Sequence, residues 1–336
     1  MKADKQRGVR RRLRRTVARA RIKAGAFVVD NFFRAASAAG RLHPDANPAR
    51  HGIQVMKDLP YREGGAVEHL LDVWRPTNVA TPTPIVFYVH GGGFRFLSKD
   101  THWIMALSFA RAGYLVFNVS YRLAPQHPFP AAVEDIAEAW QWALAHAAEY
   151  GGDTSRIVVA GESAGANLAM GLTLSTCYRR NEPHARAVFD AGVVPRACLP
   201  MCGMLQVSDP ARFARRRKLA RFIADRIDEV AEAYLFGHDH ATPEELELAD
   251  PLRVVERGEP PDRPLPPFFA AVGTADPVLD DTRRLQAALD KAGVPNEVHY
   301  YPREPHAFHA LVFRKSAREC WKATFRFLDN VISPAR

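Results

Sequence analysis

Short apolar runs that stop at glycine or a turn residue, each followed by a stretch with helical spacing, recur through most of this 336-residue chain. Ile85–Val89 ends at His90-Gly91-Gly92-Gly93, Tyr114–Val119 follows a helical stretch over Thr101–Ala112, and Arg156–Ala160 runs into a helical pattern over Ala164–Tyr178. Val67–Trp74, Ala197–Leu205, Phe268–Val272 and Val298–Tyr301 read as further strands, and Val133–Ala148 and Ser316–Ile332 as further helices. Runs that are apolar throughout, without polar alternation, belong to strands buried on both faces. Alternation with helices then predicts an α/β fold with a mostly parallel sheet covered on both sides.

The spacing also divides the chain. More than 60 residues separate the strand ending at Leu205 from the one starting at Phe268, too many for a simple crossover. Phe213–Gly237 within this excursion is a charged helical stretch. The expected organisation is a basic arm with cap helices over 1–50, a catalytic domain over 51–204 and 251–336, and a cap insertion over 205–250.

The net charge is +9, but residues 1–23 hold eleven Lys or Arg against Asp4 alone, so the other 313 residues sum to −1. A nucleic-acid enzyme carries its basic residues along its working surface, and this body does not. The arm over 1–28 has apolar residues near helical spacing (Val9, Leu13, Val17, Ala20, Ala24, Phe27, Val28). It reads either as a helix packed over the mouth of the site or as a basic amphipathic helix in peripheral contact with an anionic membrane. Its apolar stretch Ala24–Val29 is too short for a signal peptide, and no run of about 18 apolar residues predicts a spanning helix. Four cysteines (Cys177, Cys198, Cys202, Cys320) show neither C-x-x-C spacing nor the density of a disulfide scaffold. A cytoplasmic protein is the expectation.

The chemistry is concentrated in Gly161-Glu162-Ser163-Ala164-Gly165, between a strand and a helix. A serine on a sharp strand-to-helix turn needs small neighbours, and the helix after it aims free N–H groups at the same spot. Ser163 is the candidate nucleophile, and the Ala164 N–H a candidate oxyanion donor. His90-Gly91-Gly92-Gly93 follows its own strand, where glycine lets backbone approach a reacting carbonyl. Gly91 and Gly92 are the expected remaining donors, with His90 bracing the loop. A phosphate-binding loop would need a following Lys-Ser or Lys-Thr, which is absent.

A neutral serine needs a base and an orienting acid. Asp276 follows the strand Phe268–Val272, and His306 follows Val298–Tyr301. The order Ser163, Asp276, His306 is that of α/β-hydrolases. Asp280 and Asp281 are alternatives, assigned to helix-terminus electrostatics. His309 is the rival of His306. Phe94, Phe96, Trp103 and Phe213 are candidates for lining the substrate pocket. No cofactor and no metal enter the scheme.

Four blocks together resemble the bacterial hormone-sensitive-lipase-like esterases: His90–Phe94, Tyr121–Ala131, Gly161–Gly165 with Asn167-Leu168-Ala169, and Asp276-Pro277 with His306-Ala307-Phe308. The resemblance implies an eight-stranded sheet, a cap, and metal-independent hydrolysis of short- to medium-chain carboxylic esters. It assigns Ser163, His306 and Asp276 as nucleophile, base and orienting acid, and Gly91, Gly92 and Ala164 as oxyanion donors. Glu162 stands where the family has Asp, and Arg95-Phe96-Leu97 is bulkier than is common after the glycines. Ala166 stands where the family has a second glycine, and neither Glu162 nor Ala166 is expected to touch a catalytic atom. The alternatives are a membrane-associated lipase, an amide or lactone hydrolase on the same residues, and, furthest from what these motifs imply, a non-catalytic ligand-binding homologue.

Overall fold

The computed structural model describes residue 25 and residues 30–80 and 82–332. Apart from Gly25, the arm over 1–28 lies outside the described residues, and with it every expectation for that arm.

A helix over 30–40 (α1) leads into β1 (Ile53–Pro60), β2 (Leu70–Pro76) and β3 (Thr83–Val89). Then α2 (Trp103–Arg111), β4 (Leu115–Val119), α3 (Ala131–His146), β5 (Gly152–Glu162), α4 (Ala164–Cys177), α5 (Pro183–Asp190) and β6 (Cys198–Met201) follow. The excursion carries α6 (Arg212–Arg216) and α7 (Arg221–Tyr234), and the chain closes with α8 (Pro251–Arg257), β7 (Phe268–Gly273), α9 (Leu279–Lys291), β8 (Asn296–Tyr301) and α10 (Lys315–Ile332). The eight strands form one sheet in the order β1-β2-β4-β3-β5-β6-β7-β8. The β1–β2 and β2–β4 pairs are antiparallel, and all the others are parallel.

Side chains alternate across a strand, and β3 shows what that does here. Ile85, Phe87 and Val89 join a core with Trp140 of α3 and Leu168 of α4, while Val86 and Tyr88 join a second core with Phe109 of α2 and Phe327 of α10. The expected α/β class, with helices on both faces, is therefore observed.

Several boundaries differ from the sequence reading. β1 was not foreseen, because its half-buried residues follow no clean alternation. Val67–His69 is a 3-10 turn, and the strand beyond it starts at Leu70. The long charged helix splits into α6 and α7. β6 is shorter than the Ala197–Leu205 reading and stops at Met201, with Cys202 beyond it at a φ of 40°. All four cysteines are free and buried. Among the described residues no helix is long and apolar enough to cross a membrane.

Candidate active site

β5 ends at Glu162 and α4 starts at Ala164, leaving Ser163 alone on the turn with a φ of 54° and a ψ of −116°. An L-residue adopts such a conformation only when its surroundings enforce it. The Ser163 N–H donates to Met201 O at 3.0 Å, tying the turn to the neighbouring strand. The flanking glycines leave no choice of residue: a Cβ on Gly161 would lie 2.3 Å from Gly165 O, and one on Gly165 would lie 2.2 Å from Val89 O. Ser163 is half-buried, so its hydroxyl sits at the surface of the fold's interior.

β7 delivers Asp276 and β8 delivers His306 to the same point. The Ser163 hydroxyl donates to His306 Nε2 at 2.9 Å, and His306 Nδ1–H donates to Asp276 Oδ2 at 2.9 Å. Asp276 is fully buried, and its second oxygen accepts the Val278 N–H at 2.9 Å. Burial alone would lower the basicity of His306. The charge and hydrogen bond of Asp276 outweigh it, with Glu162 adding to the rise, so the imidazole titrates above its ordinary range. His306 can accept the serine proton, and the buried carboxylate fixes the tautomer that does so.

The glycine loop differs from expectation at one position. The Gly91 N–H points into the buried interior at His102, 3.3 Å from its Nε2, and is not available to an oxyanion. Gly92 has a φ of 118°, and a Cβ there would lie 1.9 Å from Phe96 O. The available N–H groups of the loop are therefore those of Gly92 and Gly93, beside Ala164 at the start of α4. His90 is completely buried; its Nδ1 lies 2.7 Å from Gly91 O, and its ring stacks on Tyr121 with centroids 4.2 Å apart. Burial and the nearby His102 push its pKa down to about 3, so it stays neutral.

A protein-family model described as having the alpha/beta hydrolase fold matches residues 86–310. The chain belongs to that family. A carboxylesterase of Mycobacterium tuberculosis, NlhH, is 31% identical over 261 residues, 76% of this chain and 73% of the relative. The esterase LipI of the same species is 34% identical over 67% of this chain and 66% of its own. The crystal structure of esterase LipW from Mycobacterium marinum superposes with a TM-score of 0.72 at 27% identity, covering 93% of this chain and 90% of that one. The resemblance to esterases of the α/β-hydrolase fold read from the sequence agrees with these findings.

The remaining candidates separate by position. His309 does not compete with His306: its Nε2 lies 3.2 Å from Glu162 Oε2. Asp281 is fully buried, accepts the Leu205 N–H at 2.8 Å and the Arg212 Nε–H at 3.0 Å, and thus anchors the base of the excursion instead of a helix terminus alone. Three of the four pocket aromatics are packing residues. Phe94 is fully buried and stacked on Tyr234 at 3.8 Å. Trp103 is held under α1, its Nε1–H donating to Ser37 Oγ at 3.0 Å. Phe213 is enclosed with the Arg212 guanidinium 4.0 Å over its ring. Phe96 alone is half-buried, near Gly93 and Val230 of α7.

Side-chain atoms of Cys202, Asp276 and His306 lie within 4.8 Å of one another. Burial and the neighbouring carboxylates push the Cys202 thiol up, so it stays protonated and offers no thiolate to a metal. A cavity of about 380 Å³ lies among Asp209, Arg212, Arg216, Glu256, Asp280 and Arg284, apart from Ser163 and His306. Its arginines are paired: Arg212 with Asp281, Arg216 with Asp280, and Arg284 with Glu256. It offers no free cation.

Proposed function

We propose that this carboxylic-ester hydrolase works through an acyl-enzyme on Ser163. The observation that carries the reading is the continuous hydrogen-bonded line from Ser163 Oγ through His306 to Asp276, both contacts at 2.9 Å. Ser163 Oγ attacks the ester carbonyl while His306 Nε2 takes its proton. The oxyanion is met by the N–H groups of Gly92, Gly93 and Ala164, each such donor contributing about 3 kcal/mol to the transition state. His306 then protonates the leaving alkoxide, and water repeats the sequence on the acyl group.

Residues 205–250, with the helix over 30–40, act as the cap. α7 is bound to the glycine loop by the Phe94–Tyr234 stack and by the ion pair of Arg95 with Glu229. With Phe94 taken up in this packing, half-buried Phe96 is the aromatic left to meet substrate. Relatives named as acetyl-hydrolase (Streptomyces hygroscopicus, 31% identical) and acetyl esterase (Salmonella paratyphi A, 32% identical) support a short to medium acyl group. The test is Ser163→Ala against p-nitrophenyl acyl esters of increasing chain length. The variant loses at least 1,000-fold in kcat, and the wild type prefers chains of about eight carbons or fewer; retention of most activity by the variant defeats the reading.

A further inference from the structure

Glu162 sits directly before Ser163 and is only 7% exposed. Its carboxylate lies between two imidazoles. His102 Nε2 is 3.1 Å from Oε1, and His309 Nε2 is 3.2 Å from Oε2. Both histidines are buried. Each belongs to a different part of the site: His102 lies at the start of α2, and His309 is three residues beyond His306 on the same loop. The glycine loop packs directly on the carboxylate, since a Cβ on Gly91 would lie 3.0 Å from Glu162 Oε1. One carboxylate thus joins the serine turn, the glycine loop and the histidine loop.

The other titratable groups around it do not carry charge that would satisfy it. His90 is held neutral, and burial pushes the hydroxyls of Tyr88 and Tyr121 and the thiol of Cys202 toward their protonated forms. Burial also pushes the Glu162 carboxyl up, but the two imidazoles outweigh it and hold it well below the usual carboxylate range. Glu162 is therefore ionised between the two imidazoles.

We propose that Glu162 is a positioning residue that ties the serine turn, the glycine loop and the histidine loop together through His102 and His309. Its negative charge adds to that of Asp276 in favouring the protonated form of His306. The proposal rests on Ser163 acting as nucleophile. Its two effects are separable, because Gln keeps the length of the side chain and removes the charge, whereas Asp keeps the charge and shortens the tie.

The experiment compares Glu162→Gln and Glu162→Asp with the full-length wild type, using a p-nitrophenyl ester over a range of pH. Fluorophosphonate labelling of the wild type, absent in Ser163→Ala, is checked first; its failure would overturn the nucleophile assignment and leave the Glu162 contacts a separate matter. For Glu162→Gln, kcat falls at least tenfold with KM within twofold, and the acid limb of kcat/KM moves to lower pH, since removing a negative charge weakens the neighbouring base. For Glu162→Asp the acid limb stays and only kcat falls. Wild-type kcat and an unmoved limb in Glu162→Gln overturn the proposal. So does a loss of activity that tracks melting temperature in both variants with the limb unmoved. Should Glu162→Gln not fold, His309→Ala carries the test, because it keeps the charge and cuts the tie to the His306 loop. A kcat loss above threefold at steady KM then supports the proposal, and a smaller loss overturns it.

Discussion

The ring of Phe94 lies flat on the ring of Tyr234, with centroids 3.8 Å apart and planes at 10°. Phe94 belongs to the glycine loop and Tyr234 ends α7, so the stack joins that loop to the excursion. Tyr234→Ala removes a fully buried aromatic and costs about 3 kcal/mol of stability, read as a lower urea midpoint with an unchanged m-value. Its kcat falls as well, because the loop carrying Gly92 and Gly93 loses its support.

Asp276 raises the basicity of His306 above the ordinary histidine range. His306 must be neutral to accept the serine proton, so activity is lost as pH falls through this raised value. The acid limb of kcat/KM therefore lies above pH 6.5, the unperturbed value. Asp276→Asn moves that limb down and lowers kcat by about 10,000-fold. A pH-rate profile of both proteins checks the direction.

Gly165 has no room for a methyl group: its Cβ would meet the backbone oxygens of Val89 and His90 at 2.2 and 2.4 Å. Both are main-chain atoms of the sheet end that cannot rotate away. Gly165→Ala is expected to abolish activity, and to destabilise the protein by more than 3 kcal/mol in chemical denaturation, in line with overpacking against fixed backbone.

His90 stays neutral in the folded protein down to about pH 3, whereas in the unfolded chain it takes a proton near 6.5. Its contribution to stability is complete above pH 6.5 and declines as pH falls from there toward 3. The slope approaches about 1.4 kcal/mol per pH unit for this one proton. Comparing denaturation midpoints from pH 7 to 4 in wild type and His90→Asn checks it, the variant showing the shallower decline.

The sheet and the hydrogen-bonded line of Ser163, His306 and Asp276 were legible because they depend on local order. Runs such as Ile85–Val89 and Phe268–Val272 are apolar at every position, which marks buried parallel strands, and the turn residues after them mark where function sits. β1 was hidden because Lys57, Asp58 and Pro60 interrupt its apolar pattern at the sheet edge. The direction of a single N–H was hidden too: nothing in three consecutive glycines tells that the first one turns inward to His102. Phe94, Trp103 and Phe213 misled for a related reason, since an aromatic side chain near a catalytic loop packs beneath it as readily as it faces substrate. The partners of Glu162 lie 60 and 147 positions away along the chain, beyond the reach of any local pattern.

All six residues of β8 are only half-buried, and the strand has β7 as its one partner in the sheet. The loop that presents His306 is thus suspended from the margin of the molecule, where strands open at lower free energy than those in the centre. Warming would then disarm this protein before it melts: esterase activity should fade several degrees below the loss of circular-dichroism signal and return on cooling, until β3 and β5 give way.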